Sequence, residues 1–254
     1  MQKKLAHKPL IEAIFELKWH IDAQSGDPNY SIFVGKLFDS LKNKYPYHER
    51  LPTSMIPEQL ASNVVQHRFR IGDNKWPLVQ IGPGIITLNS TADYTWEDFS
   101  ARVIELVKTT YKVYPNSMDF KVTSLLLRYL DSENYDYRKR DVFKFLKEYL
   151  KVNIAIPRLL FQDVAVKSLP KGFNFDVSYP SVNPNGIVNL RFTSALKNSD
   201  PAVMWAIGVQ SINKDLPKMP GQFSVWLKAA HVITDNWFFN LIEGELERRY
   251  SHDS

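Results

Sequence analysis

The sequence predicts an α+β fold in which antiparallel strands pack against amphipathic helices on one side. Short segments alternate apolar and polar residues, which is typical of half-buried strands. Turns rich in glycine, proline and asparagine separate several of these segments, and stretches with apolar residues at helical spacing lie between them. Strands and helices in this arrangement are typical of two-layer α+β packing.

The first half of the chain begins with a strand and a helix. Phe15, Leu17 and Trp19 alternate with polar residues, so they share one face of a predicted half-buried strand. Apolar residues then recur at helical spacing from Ile32 to Leu41, and Pro46 ends the pattern. This segment predicts an amphipathic helix.

A hairpin follows the first helix. The stretch from Val64 to Ile71 alternates again, and the apolar segments Leu78–Ile81 and Ile85–Asn89 flank a Gly-Pro-Gly turn at positions 82–84. Because glycine accepts the backbone angles of a tight turn, these segments predict two or three antiparallel strands.

A second helix and a long strand complete this half. Thr95 is a predicted N-cap, because Asp98 lies three positions on and apolar residues then recur at helical spacing as far as Pro115. The apolar segment Phe120–Leu130 predicts a strand that ends at the polar run 131–134. The outline of the half is therefore β-α-β-β-α-β.

The second half has a similar composition of elements. A short helix is predicted at Asp141–Leu150, and three strands are predicted at Phe173–Tyr179, Gly186–Phe192 and Val203–Val209. One long helix with a wide apolar stripe is predicted from Trp226 to Tyr250.

The chain divides by composition into an N-terminal half, residues 1–134, and a C-terminal half, residues 135–254. Each half combines antiparallel strands with helices, which leaves open an internal repeat. No aligned identities join the halves, and a single shared core is the alternative.

Composition excludes several classes of protein. The 254 residues contain no cysteine, so disulfides, thiolate metal sites and cysteine nucleophiles are excluded, and a reducing compartment is favoured. Acidic and basic residues interrupt the apolar stretch at the N-terminus, which predicts neither a signal peptide nor a membrane span. We therefore expect a cytoplasmic protein without membrane contact, and nothing in the sequence calls for a cofactor.

No strong catalytic signature is present. No two of the six histidines have the spacing of a metal-binding pair on one helix, and the chain lacks both a phosphate-binding Gly-Lys-Ser/Thr loop and a Gly-x-Ser-x-Gly elbow. His231 interrupts the apolar stripe of the last helix, so it needs a hydrogen-bond partner if it is buried.

Arg128 interrupts the most apolar strand. Alternation places it with Leu126 on one face of that strand, where a guanidinium is unfavourable unless it pairs with a carboxylate or a ligand. Internal pairing is the favoured interpretation, with Glu12, Glu16 and Asp131 as candidate partners.

One basic segment interleaves cations with tyrosines. Phosphate contacts combined with base stacking are one interpretation, and the alternative is a solvated loop and helix face, because three acidic residues dilute the charge. The nucleic-acid candidates within positions 135–151 are Tyr135, Tyr137, Arg138, Lys139, Arg140 and Lys144.

Three segments resemble a sporadically distributed, uncharacterised bacterial family whose members have about the length of this chain. They are the Pro-x-x-Glu-Ala-x-x-Glu motif at Pro9–Glu16, the central Leu127–Asp131, and the Trp/His-containing helix at Trp226–Phe238. Leu126 and Asp131 stand where the family usually has glycine and asparagine. The resemblance implies no known activity, but patchy occurrence implies an accessory role, for instance in an antiviral-defence or toxin–antitoxin locus.

The leading hypothesis is a non-enzymatic binding or protein-interaction module with a protein partner, and a homodimer is one form of it. Its candidate ligand- or partner-binding residues are Glu12, Glu16, Arg128 and His231, with aromatic anchors among Trp19, Trp76, Tyr94 and Trp96. Two alternatives remain open. One is nucleic-acid binding through the basic segment, and the other is a cofactor-free enzyme with a pocket around Arg128.

Overall fold

The computed structural model describes residues 5–22, 26–57, 60–91, 93–116, 118 and 120–251, and it confirms the α+β class. The strands and helices, in chain order, are β1 (Leu10–Trp19), α1 (Tyr30–Leu41), β2 (Tyr47–Arg50), β3 (His67–Arg70), β4 (Leu78–Gly82), β5 (Ile85–Ser90), α2 (Trp96–Val113), β6 (Val122–Asn134), α3 (Val142–Leu150), β7 (Asn174–Val182), β8 (Asn185–Lys197), β9 (Asp200–Ile212), α4 (Phe223–Ile242) and α5 (Glu245–Ser251).

Within the described residues, the strands form one antiparallel sheet of nine strands in the order β2-β3-β4-β5-β1-β6-β9-β8-β7. Strand β1 lies at its centre between β5 and β6, and β6 pairs with β9 from the second half. The sheet therefore continues across the compositional boundary at residue 134, and the largest core cluster takes residues from both sides of it. The division into halves stays a prediction.

The core lies between the sheet and the helices. Phe15, Leu17 and Trp19 of β1 are buried, as predicted, and the ring of Phe15 lies 5.3 Å from that of Phe223 on α4. Helices α1 and α2 contribute buried residues to the same cluster. Because side chains alternate along a strand, the residues between these core positions point to the opposite face of the sheet.

Three features differ from the sequence-based expectation. Strand β6 continues through positions 131–134, where a polar run predicted its end, because these residues pair with β9. Strand β2 was not predicted, since its sequence Tyr-His-Glu-Arg has no apolar alternation. The last helix is divided in two by Gly244, whose φ of 101° is a conformation that residues with a Cβ rarely adopt.

Two local features, a tight turn and a helix N-cap, agree with the sequence-based prediction. Gly84 has a φ of 77° in the tight turn between β4 and β5, which confirms the predicted hairpin. The Oγ1 atom of Thr95 accepts a hydrogen bond from the backbone N–H of Asp98, so the predicted N-cap of α2 is present. In the described part of the chain, no helix has the length and apolar composition needed to span a membrane.

Candidate functional site

A cavity of about 290 Å³ lies on the helix side of the sheet, where the start of α2, the middle of α4 and strand β6 meet the segment that precedes β1. This volume is close to the lower end of the range of small-molecule sites. Its lining is mostly apolar and aromatic, with a few ionisable groups. The lining residues are Leu5, Lys8, Pro9, Leu10, Tyr94, Thr95, Trp96, Glu97, Tyr129, Asp131, His231, Thr234, Asp235, Phe238 and Phe239.

Strand alternation and helix periodicity place these side chains. Leu125 and Leu127 of β6 are buried in the core, and Tyr129 and Asp131 occupy the next two positions of the same face. On α4 the lining residues between 231 and 238 recur at spacings of three and four, so they share one face of the helix. The same local patterns that build the core therefore build the cavity.

A chain of hydrogen bonds crosses the cavity wall. The hydroxyl groups of Tyr94 and Tyr129 lie 2.8 Å apart, and the Tyr129 hydroxyl lies 3.2 Å from Nδ1 of His231. Trp96 stacks on the His231 ring, with the centroids 3.7 Å apart and the planes 12° from parallel. These contacts fix the imidazole in position on two sides.

Burial determines the protonation states of Tyr94, Tyr129 and His231, the three side chains of this hydrogen-bond relay. It lowers the pKa of His231 to about 4, so the imidazole is neutral at neutral pH. It also raises the pKa of Tyr94 and Tyr129, so both hydroxyls stay protonated. The relay is therefore uncharged, and it can orient a ligand through hydrogen bonds without supplying charge.

Asp131 is the most unusual residue of the cavity. Its side chain is only 2% exposed, and among the described residues its Oδ2 atom has no hydrogen-bond partner. Burial raises the pKa of this carboxyl to about 8. A buried polar atom without a partner is rare in folded proteins and requires an explanation.

The other ionisable groups of the lining make the cavity acidic. Burial raises the pKa of Asp235, and Glu97 is exposed near the solvent side. Lys8 is the one basic side chain of the described lining apart from the neutral histidine, and its Nζ atom donates a hydrogen bond to the backbone oxygen of Tyr94 at 2.6 Å. Three carboxyl groups therefore face a single ammonium that already has an acceptor.

The structure places His231 in this cavity but does not bring the other proposed ligand-binding residues to it. Arg128 is directly opposite Ile14 on β1, on the sheet face that points away from the helices. Glu12 accepts a hydrogen bond from Nδ2 of Asn89, and Glu16 forms an ion pair with Lys18. The sheet thus separates Arg128 from His231.

Arg128 lacks the predicted internal partner. No hydrogen bond or ion pair with its guanidinium is found in the described part of the chain, and its Nε atom is buried without a partner. Asp131, one of the suggested partners, lies on the opposite face, because the two residues are an odd number of positions apart on one strand. A pocket that combines Arg128 with His231 is therefore not formed.

The basic segment is largely satisfied by internal contacts. Tyr137 is buried, so it has no free ring face for a base, and Tyr135 packs against Phe145 and beneath the guanidinium of Arg140. Ion pairs join Arg138 and Lys139 to Asp136, and Lys144 to Glu148. Nucleic-acid binding at this segment stays a prediction.

The aromatic residues proposed as partner anchors have different environments. Trp19 is buried and donates a hydrogen bond from Nε1 to Asp27, so it is not available as an anchor. Trp76 is half-buried beside Arg70. Tyr94 and Trp96 line the cavity, so these two are available to a ligand there.

One close pair of histidines was missed in the sequence. Nε2 of His48 lies 2.9 Å from Nδ1 of His67 across β2 and β3, and burial lowers the pKa of both rings. Helical spacing could not identify a pair that forms between strands. No group of three histidine or acidic side chains in the described ranges is arranged to hold a metal ion.

No protein-family model matches the chain, and no curated protein is similar to it. The solved structure of Methanococcus jannaschii TBP aligns with 91% of this chain and 98% of its own, at 11% sequence identity and a TM-score of 0.24. At that TM-score the likeness supports no statement about the fold or function of this chain.

Proposed function

We propose that the chain is a non-enzymatic binding protein and that the cavity beside β6 holds a small ligand. The observation that carries this proposal is the unpaired carboxyl of Asp131. A buried acid whose partner is missing destabilises the folded chain, and sites of this kind are found where a ligand supplies the partner.

The lining supports binding more than catalysis. Aromatic walls contribute contact area at little cost in conformational entropy, and a few polar groups orient the ligand. The Tyr94–Tyr129–His231 relay has pKa values far from neutrality, whereas general acid–base catalysts have pKa values near the working pH. An enzyme centred on Arg128 has no support, because its proposed residues lie on two faces of the sheet.

Filling the cavity is expected to remove the ligand. Thr234 lines the cavity on α4, and Thr234→Met places a longer apolar side chain there. We expect native mass spectrometry of the wild-type chain, purified gently from its source, to show a bound small molecule that is absent from this variant. The control is Thr193→Met, the same change on the sheet face away from the helices.

An empty wild-type chain, or the same molecule bound to wild type and to Thr234→Met, would contradict the proposal. Circular dichroism on each variant checks that the expected loss is not caused by unfolding. Retention of the ligand by Thr193→Met is required for the comparison to support the cavity.

A second candidate function, protein interaction, is favoured by an exposed apolar segment at positions 156–169. Large apolar side chains here are 38% to 73% exposed, and clustered exposure of this kind marks interaction surfaces. The side chains are Ile156, Leu159, Leu160, Val164, Val166 and Leu169. This segment is separate from the cavity, so the two functions are compatible.

Self-association is the form of this interaction that we expect. Sedimentation velocity should show a concentration-dependent dimer, and the double substitution Leu159→Ser and Leu160→Ser should dissociate it, because it removes the two most exposed apolar side chains of the segment. Val182→Ser is the control, since Val182 is even more exposed, at 88%, but lies on β7. A monomer at every concentration would rule out the dimer.

A further inference from the structure

We propose that the ligand of the cavity is a small organic amine, bound as its ammonium ion with an N–H group directed at Asp131 and its apolar body between aromatic side chains. This inference rests on the proposed binding function and specifies the chemical class of the ligand. It follows from three properties of the cavity: its unpaired acceptor, its charge and its walls.

The unpaired acceptor requires a donor. Oδ2 of Asp131 is buried without a partner, and among the described side chains no cation reaches it. A primary or secondary ammonium supplies N–H donors together with a positive charge, and charge-assisted hydrogen bonds are the strongest that a carboxylate forms. A neutral hydroxyl supplies only the donor, and a second carboxylate would repel Asp131 and Asp235.

The charge of the lining favours the same class. Asp131, Asp235 and Glu97 contribute up to three negative charges, against one positive charge from Lys8. The negative charge of Asp131 appears only when its proton leaves, and a nearby cation favours that ionised form. Binding of an ammonium therefore converts a neutral buried acid into half of an ion pair.

The walls fit an apolar body attached to a cation. Tyr94, Trp96, Phe238 and Phe239 surround the space on the helix side, and aromatic faces attract cations as well as apolar groups. The ring of Trp96 is held parallel to that of His231, so this wall is already ordered before a ligand binds. These side chains favour an amine with an aromatic or branched aliphatic body over a highly polar one.

Matched probes test the class directly. Isothermal titration compares 2-phenylethylamine with 2-phenylethanol, which has the same body but no charge. We expect the amine to bind the wild-type chain at least about tenfold more tightly, because hydrogen bonds to charged groups are the stronger kind. Asp131→Asn should abolish this preference and leave the affinity for the alcohol within about twofold, since amide and carboxyl have similar shapes. Asp163→Asn removes the same charge from an exposed position and should preserve the preference.

Proton release gives an independent readout. Because an ammonium stabilises the ionised carboxyl, binding of the amine at pH 7 should release about one proton from Asp131. Titrations in two buffers with different protonation enthalpies measure this number, which should fall to near zero in Asp131→Asn.

The titrations distinguish a wrong ligand class from a cavity that binds no small molecule. Equal affinities for the amine and the alcohol would overturn the amine assignment while supporting a small-molecule cavity. A preference that survives Asp131→Asn would overturn the role of Asp131. If the wild-type chain binds neither probe, the amine class is contradicted, and the co-purification experiment decides the cavity independently.

Discussion

Asp131→Asn is expected to raise the free energy of unfolding at pH 7 by about 3 kcal/mol. The wild-type carboxyl is buried without a partner, and burial raises its pKa from 3.8 to about 8. A shift of one pKa unit corresponds to about 1.4 kcal/mol, so the three units between 3.8 and pH 7 set an upper bound of about 4 kcal/mol. Relaxation around the cavity reduces this bound.

The effect has a definite pH dependence. Below pH 4 the carboxyl is protonated in both the folded and the unfolded chain, so it contributes no difference. Between pH 4 and pH 8 the unfolded chain releases this proton while the folded chain retains it, so the wild-type stability falls as pH rises. Asparagine removes this loss, and the advantage of the variant should therefore increase from pH 4 to pH 8.

The neighbouring His231 contributes with the opposite sign. His231 has a lowered pKa, so its contribution to stability is lost as pH falls through the range from 6.5 to about 4. The contributions of the neighbouring ionisable groups largely cancel in the difference between wild type and variant, because both proteins contain them. These groups are His231, Tyr94, Tyr129, Asp235 and the exposed Lys8 and Glu97.

Urea unfolding of both proteins at several pH values between 4 and 8 measures the difference in the free energy of unfolding. A constant difference across this range, or a less stable variant at pH 7, would contradict this prediction.

Phe15→Ala is expected to lower the free energy of unfolding by about 4 kcal/mol. Phe15 is fully buried at the centre of β1, and its ring meets Phe223 at the start of α4. The substitution removes buried apolar area and leaves a cavity between the sheet and the helix, and both effects act in the same direction.

Phe175→Ala is the matched control for this prediction. Phe175 lies on the edge strand β7 and is 36% exposed, so its loss should lower stability by less than about 1 kcal/mol. Urea unfolding at one pH, with the denaturant slope compared between variants, measures both changes. Similar losses for the two variants would show that the central strand is not the main site of packing between sheet and helices.

Local signals made much of the fold predictable. The β4–β5 hairpin was predicted because a Gly-Pro-Gly turn lies between two apolar segments, and both the strands and the positive φ of Gly84 are present. Thr95 was predicted as an N-cap from the residue three positions later, and the capping hydrogen bond is formed. These features depend on neighbours within a few residues, which a sequence displays directly.

Features that depend on distant partners were not predictable in this way. Strand β2 has no apolar alternation, and it forms because β3 offers it hydrogen bonds. The His48–His67 contact follows from that pairing. Asp131 was suggested as a partner of Arg128, although alternation along β6 already places the two on opposite faces. Its role in the cavity depends on α4, which begins some ninety residues later in the chain.

The cavity joins four stretches of chain, at residues 5–10, 94–97, 129–131 and 231–239. The first of these is otherwise held by few backbone contacts, among them His7 N–H to the oxygen of Tyr250 and Ser132 N–H to the oxygen of Pro9. A molecule in the cavity contacts all four stretches only when the chain is folded, so its binding stabilises the folded state. At a concentration of a hundred times Kd it adds about 2.7 kcal/mol to stability. The concentration of the ligand in the cell would then determine how fast proteases degrade the protein. The abundance of the protein would therefore report the fraction of its cavities that hold ligand.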